Sequence, residues 1–232
     1  MRWDPTRLAD WQIAEAAESG LKPFLQVGRE AGFEESELIP MGRLIGRVDS
    51  RAALARIESR PAGRYIDVTA ITPTPLGEGK TTTTLGLVQG LAKRGRRASG
   101  AIRQPSGGPT FNIKGTAAGG GLAQCLPRTP FSFGLTGDID AVTNAHNLAM
   151  VALTARMQHE ANYDDARLAR IGLKRLDIDP ARVTMKWAID FCAQALRHIT
   201  IGQGSAMDGV EMASGFQISV SSELMAILAV VR

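Results

Sequence analysis

Residues 72–84 read TPTPLGEGKTTTT, and no other stretch restricts the fold of the chain so strongly. A glycine-bounded Gly-Lys-Thr run does phosphate chemistry only with a strand ahead of it and a helix behind it. Both are legible. RYIDVTAI at 64–71 is a short β-branched and aromatic run that reads as a buried parallel strand. TTTTLGLVQGLAKRG at 81–95 spaces its apolar residues as a helix does and ends in basic residues and a glycine. RRASGAI at 96–102 reads as the following strand. Strand, loop, helix and strand together predict a βαβ unit with a right-handed crossover.

The loop pattern G-x-x-x-x-G-K-[ST] is met at Gly79, Lys80 and Thr81, with Thr74 in the first glycine position. Gly77 and Gly79 let backbone N–H groups converge on phosphate oxygens with no Cβ in the way. The expected cradle is Thr74, Pro75, Leu76, Gly77, Glu78, Gly79, Lys80, Thr81 and Thr82. Lys80 would reach the terminal phosphates, and the Thr81 hydroxyl would hold Mg²⁺. The competing reading is a glycine-rich turn with no ligand.

Residues 10–58 read as short helices. Asp10 is the expected cap of the first, Gly32 the stop of the second, and Ser50 the cap of RAALARIES. Beyond the βαβ unit, residues 103–138 are too rich in glycine for a helix and too apolar for a linker, which marks an ordered functional loop. Residues 141–161 read as a long helix, 162–184 as a polar stretch with a turn, and MKWAIDFCAQALR as a further helix. HITIG and FQISV read as strands on either side of the loop GQGSAMDGVEMASG, and SSELMAILAVV as a capped helix. The alternation predicts an α/β fold: a P-loop NTPase-like doubly wound, mostly parallel sheet with an N-terminal helical segment. The expected division is a helical segment at 1–62 packed on a nucleotide-binding domain at 63–232.

With 232 residues, 44% hydrophobic and 22% charged, the chain can bury a sizeable core. A net charge of +4 favours anionic ligands only weakly. Arg94, Arg96 and Arg97, and Arg167, Arg170, Lys174 and Arg175, read as solvated helix ends, so no nucleic-acid partner is expected. Cys125 and Cys192 lack metal-ligand spacing and read as packed thiols in a reducing compartment. There is no signal-like apolar segment and no membrane-length apolar window, so a cytoplasmic location and no membrane partner are expected.

The loop residues do not stand alone. TAITPTPLGEGKTTTTLGLVQGL at 69–91, Arg103, Pro105, Ser106, Gly108, Pro109, Ile113, Lys114 and Gly115 resemble formate–tetrahydrofolate ligase. So do AAGGG at 117–121, Ala123, Gln124, TGD at 136–138, AHNL at 145–148 and ALR at 195–197. Ile201, Gly202, Gly215, Phe216 and SELMAIL at 222–228 extend the resemblance to the C-terminus. It implies a two-step reaction. ATP phosphorylates formate to formyl phosphate, and the N10 amine of tetrahydrofolate attacks that anhydride.

Carried over by position, Lys80 and Arg103 are the catalytic residues, Arg103 holding formate or the transferring phosphoryl group. Lys114, Gly119, Gly120 and Gly121 would shape the same pocket. Asp138 would lie near Mg²⁺ or the nucleotide, or cap the helix that follows it. His146 reads as a core histidine. The implied cofactors are ATP and Mg²⁺, with a monovalent cation a further candidate. The implied partners are formate or another small carboxylate and a homo-oligomer; the family's members are longer, so the chain reads as a fragment, a natural short form or one part of a split enzyme, in the last case with a second chain supplying the folate site. The family ordinarily carries Glu at Gln104, His at Gly134, smaller residues at Asn112 and Thr116, and Asp at Gln217. A diverged nucleotide-binding module, or a kinase of another small carboxylate, is the alternative reading.

Overall fold

The computed structural model describes residues 3–72, 74, 77–103, 106–107, 118–133, 138–191 and 194–231. They form two compact units. One lies within Met1–Pro105 and Asn112–Gly137, the other within Ser106–Phe111 and Asp138–Arg232.

The first unit opens with helices α1 (Asp10–Glu18) and α2 (Phe24–Glu30) and an antiparallel pair, β1 (Leu38–Pro40) with β2 (Gly46–Val48). Asp10 lies in the first turn of α1 rather than capping it; the Ala9 N–H ahead of it donates to Gln12 Oε1 at 2.9 Å. Helix α3 (Ser50–Ile57) is capped by Asp49, whose carboxylate accepts from Ala52 N at 3.0 Å. The expected cap, Ser50, is the first helical residue instead. Under these elements Glu37 is 3% exposed, and Arg56 reaches it from α3 with Nε and Nη2 at 2.5 and 2.8 Å. This two-pronged ion pair holds the Glu37 carboxyl down at about 2, through the Arg56 hydrogen bonds first and the Glu34 N–H second.

Helix α4 (Lys80–Lys93) follows the glycine loop as expected. Residues 64–71 and 96–102 differ from expectation. They belong to no strand, and Tyr65, Ile66 and Ile71 are exposed. A strand needs ladder partners on its edges, and among the described residues none pairs with either segment. A short hairpin, β3 (Gly119–Gly120) with β4 (Ala123–Gln124), and helix α5 (Arg128–Ser132) complete this unit.

The second unit is built on helix α6 (Ile139–Asn162), which buries Ile139, Val142, His146, Met150 and Met157. These positions recur at helical spacing along one face. Helix α7 (Asp165–Arg170) buries Leu168. Strand β5 (Trp187–Ala188) pairs in parallel with β8 (Phe216–Gln217), and β6 (Ile199–Ile201) pairs antiparallel with β7 (Met212–Ser214). Helix α8 (Glu223–Leu228) is capped by Ser222 and packs Met225 against Ile139 and Val142. The helix expected over residues 185–197 is not formed. Within it Trp187–Ala188 form β5, and near its end Gln194–Leu196 form a short 3₁₀ turn. The loop expected between the two strand segments contains β7.

The class is therefore mixed α/β, with small two-stranded sheets. Among the described residues no helix is long and apolar enough to cross a membrane.

Candidate functional site

The glycine loop takes its shape from two left-handed residues. Gly77 has φ +92° and Gly79 φ +76°, conformations that a side chain strains. Gly77 N donates to Thr74 O at 3.2 Å, which turns the chain back on itself. Gly79 then occupies the N-cap position of α4 and brings no side chain to it. The N–H groups of Lys80, Thr81 and Thr82 consequently begin the helix without a carbonyl one turn earlier to accept them. Together with the helix dipole they present an anion-seeking end. Thr81 is half-buried in this first turn and Thr82 is exposed.

Within this end the structure already contains an anion. Glu78 Oε2 is hydrogen-bonded to Lys80 Nζ, and Glu78 Oε1 accepts from Thr74 N at 2.5 Å. The Lys80 contact, then the Thr74 N–H, hold the Glu78 carboxyl at about 2. Thr74, Glu78 and Lys80 are thus brought together, with a carboxylate on the ammonium that was expected to meet phosphate. In sequence the pair is only a Glu and a Lys one residue apart; the left-handed turn of Gly79 brings them together.

The glycines at 119–121 have a different immediate role. A Cβ on Gly119 would run into the Ala123 carbonyl and lie 2.9 Å from Leu85 of α4. Gly121 N donates to Asp10 Oδ1 at 2.8 Å, and Gln124 Nε2 donates to the carbonyls of Asp10 and Gly121. Gln89 of α4 donates to Leu122 O at 3.0 Å. The hairpin is therefore fastened to both α1 and the loop's own helix.

Arg103 is exposed in the first unit. Asp138 belongs to the second unit, where it holds the N-cap position of α6. Its side chain makes no capping bond there, while its carbonyl accepts from Val142 N at 2.9 Å. Pro75, Leu76 and Lys114 lie outside the described residues, as do Gln104, Asn112, Thr116, Gly134 and Cys192. His146 is fully buried, with Nε2 2.6 Å from the Lys186 carbonyl, and Nδ1 3.8 Å from Glu223 with no hydrogen bond. A carbonyl can only accept, so Nε2 carries a proton. That is the geometry of a core histidine. Burial pushes the Cys125 thiol up, which suits packing and not nucleophilic attack.

Among the described residues no group of three or more His, Cys, Asp and Glu is arranged to hold a metal ion. Thr81, half-buried in the first turn of α4, offers one hydroxyl oxygen, a hard donor of the kind Mg²⁺ takes.

Residues 8–232 match the formate–tetrahydrofolate ligase family. The chain is 66% identical to a formate–tetrahydrofolate ligase of Dehalococcoides mccartyi (strain CBDB1), over 98% of this chain and 38% of the relative. It is 61% identical to that of Thermodesulfovibrio yellowstonii, over 99% of this chain and 39% of the relative. It is 60% identical to that of Desulforapulum autotrophicum, over 100% and 40%. The chain spans about 40% of the length of these relatives.

Proposed function

The chain belongs to the formate–tetrahydrofolate ligase family, and from that premise we propose that it is the nucleotide-binding part of such a ligase. The observation that carries this is the end of α4, where paired left-handed glycines expose N–H groups beside Lys80. In this reading 64–71 and 96–102, unpaired among the described residues, become strands of a doubly wound, P-loop NTPase-like sheet flanking α4 in a polypeptide of the relatives' length. The helical segment at 1–62 packs on the nucleotide domain at 63–232.

The chemistry follows from charge. A formate oxygen attacks the γ-phosphorus of ATP, the bond to the β-phosphate bridging oxygen breaks, and ADP leaves. Lys80 and the loop N–H groups hold the β- and γ-oxygens. Arg103 spreads its guanidinium over the transferring group, matching the charge that a loose phosphoryl transfer distributes over several oxygens. Lys114, Gly119, Gly120 and Gly121 shape the pocket, and Asp138 serves the nucleotide or Mg²⁺. Thr81 would hold Mg²⁺, which would supply neutralisation of the developing negative charge. In the second step the tetrahydrofolate N10 lone pair attacks the formyl carbon, phosphate leaves with the C–O electrons, and N10 loses its proton. The folate site is proposed to come from polypeptide outside these 232 residues. The relatives give no support to a bare nucleotide switch or to a kinase of another carboxylate.

The test is ADP formation by the purified chain with formate as the variable, alone and with the remaining portion of a relative. Formate-dependent turnover that disappears in Lys80→Ala supports the reading. Nucleotide binding without any formate dependence under both conditions overturns the ligase assignment.

A further inference from the structure

In the second unit, away from the glycine loop, a cavity of about 420 Å³ lies where β5, β6 and β8 begin or end. Lys186 precedes β5, Arg197 and His198 precede β6, and Phe216 and Gln217 form β8. All five line the cavity, with Ile218 beside them, and none of its lining residues is acidic.

The basic residues are placed by specific contacts. Lys186 Nζ donates to the backbone carbonyl of Arg197 at 3.0 Å, which holds the ammonium beside the segment leading into β6. That carbonyl lies so close to Gly215 that a Cβ there would collide with it. The segment ahead of β6 can therefore approach the start of β8 only across a glycine. Lys186 is half-buried, and one of its three donors is used. Among the described residues neither Lys186, Arg197 nor His198 has a carboxylate within ion-pair distance. Glu223, which accepts from Gln217 Nε2 at 2.8 Å, does not line the cavity. With Lys186 half-buried and Arg197 and His198 exposed at its rim, the cavity has a positive lining that no acidic lining residue offsets.

We propose that this cavity is a second anion site, distinct from the glycine loop, that takes a small molecule bearing two or more oxyanion groups. Lys186 and Arg197 bind the charged groups, His198 and Gln217 add hydrogen bonds, and Phe216 and Ile218 form an apolar wall for the ligand body. Two oxyanion groups suit the site because Lys186 and Arg197 line it from segments ahead of two different strands, so that each cation can meet one group.

The experiment uses the 232-residue chain with Lys80→Ala, so that the loop does not contribute, and wild type as reference. Inorganic pyrophosphate and citrate are titrated separately, to distinguish phosphate from carboxylate ligands. Heat is measured by calorimetry, and the imidazole signal of His198 is followed by NMR. At least one anion should bind and shift the His198 signal equally in both proteins. Lys186→Met and Arg197→Gln should each weaken it by about ten-fold, the size of one charge-assisted contact. His198→Gln, which breaks no contact seen here, should weaken it less and serves if the others fail to fold. No binding of either anion overturns the proposal, as does an affinity indifferent to all three substitutions. Loss of binding on Lys80→Ala alone also overturns it, since the anion would then sit in the loop. Failure of the ligase reading would leave the His198 response intact, so the two ideas fail separately.

Discussion

At the residue scale the most consequential contact is Glu78 on Lys80. A nucleotide entering the loop must take Lys80 away from an ionised carboxylate that already imitates phosphate. The Lys80 side chain is 46% exposed, so the pair is screened by water. Glu78→Gln is therefore expected to tighten ATP binding by roughly two- to five-fold, the worth of a partly exposed ion pair. Calorimetric titration checks this, and unchanged or weaker binding would sink the competition argument. Glu37 makes a different prediction. Its folded carboxyl is held at about 2, below the usual 4.5. A lowered pKa confers stability that is fully present above the unfolded value and is lost as pH falls towards the folded one. Thermal midpoints should accordingly drop between about pH 4.5 and pH 2, and Glu37→Gln should start lower and lose part of that slope. Neither contact was legible in advance. Arg56 and Glu37 meet across a fold, and the Glu78 contact depends on the left-handed turn of Gly79.

At the element scale, local periodicity was a good guide where an element is held by its own apolar face. Helices α4, α6 and α8 fall where the spacing of apolar residues puts them. It misled over residues 185–197. Trp187 and Ala188 there are recruited by Phe216 and Gln217 into a parallel pair, a partner nearly thirty residues away that no local window contains. The α3 cap was misplaced by one residue because Asp49 and Ser50 are both competent caps, and the choice between them rests on which backbone remains extended. Asp49→Ala should therefore cost about 1 kcal/mol while Ser50→Ala is nearly neutral. Chemical denaturation of the two variants checks the assignment, and equal losses would contradict it.

At the scale of the whole molecule, the family was legible because its motifs are long and collinear, whereas 64–71 and 96–102, expected as strands beside α4, pair into no sheet among the described residues. Helix α4 has no fully buried residue, and Tyr65 and Ile71 are 89% and 102% exposed. Backbone without ladder partners exchanges its amide protons quickly. In this 232-residue chain the amides of 64–71 should exchange as unpaired backbone, while those of α6 around Met150 are protected. In a polypeptide of the relatives' full length, the proposed sheet should protect 64–71 as well. Hydrogen exchange by mass spectrometry on both lengths tests this, and fast exchange in the longer protein would count against the doubly wound arrangement.

The bond from Gly121 to Asp10 also sets a timetable. The two residues are separated by 111 positions, so on the ribosome the carboxylate exists long before its amide partner. At ordinary synthesis speeds the interval is roughly 5–20 seconds. Helix α1 can wind early, but its seat against the glycine hairpin must wait for residues 119–124 to emerge. Until then the end of α4 is present without the hairpin that steadies Leu85 and Gln89. The nascent loop thus passes through a period in which it can meet nucleotide before its surroundings are assembled.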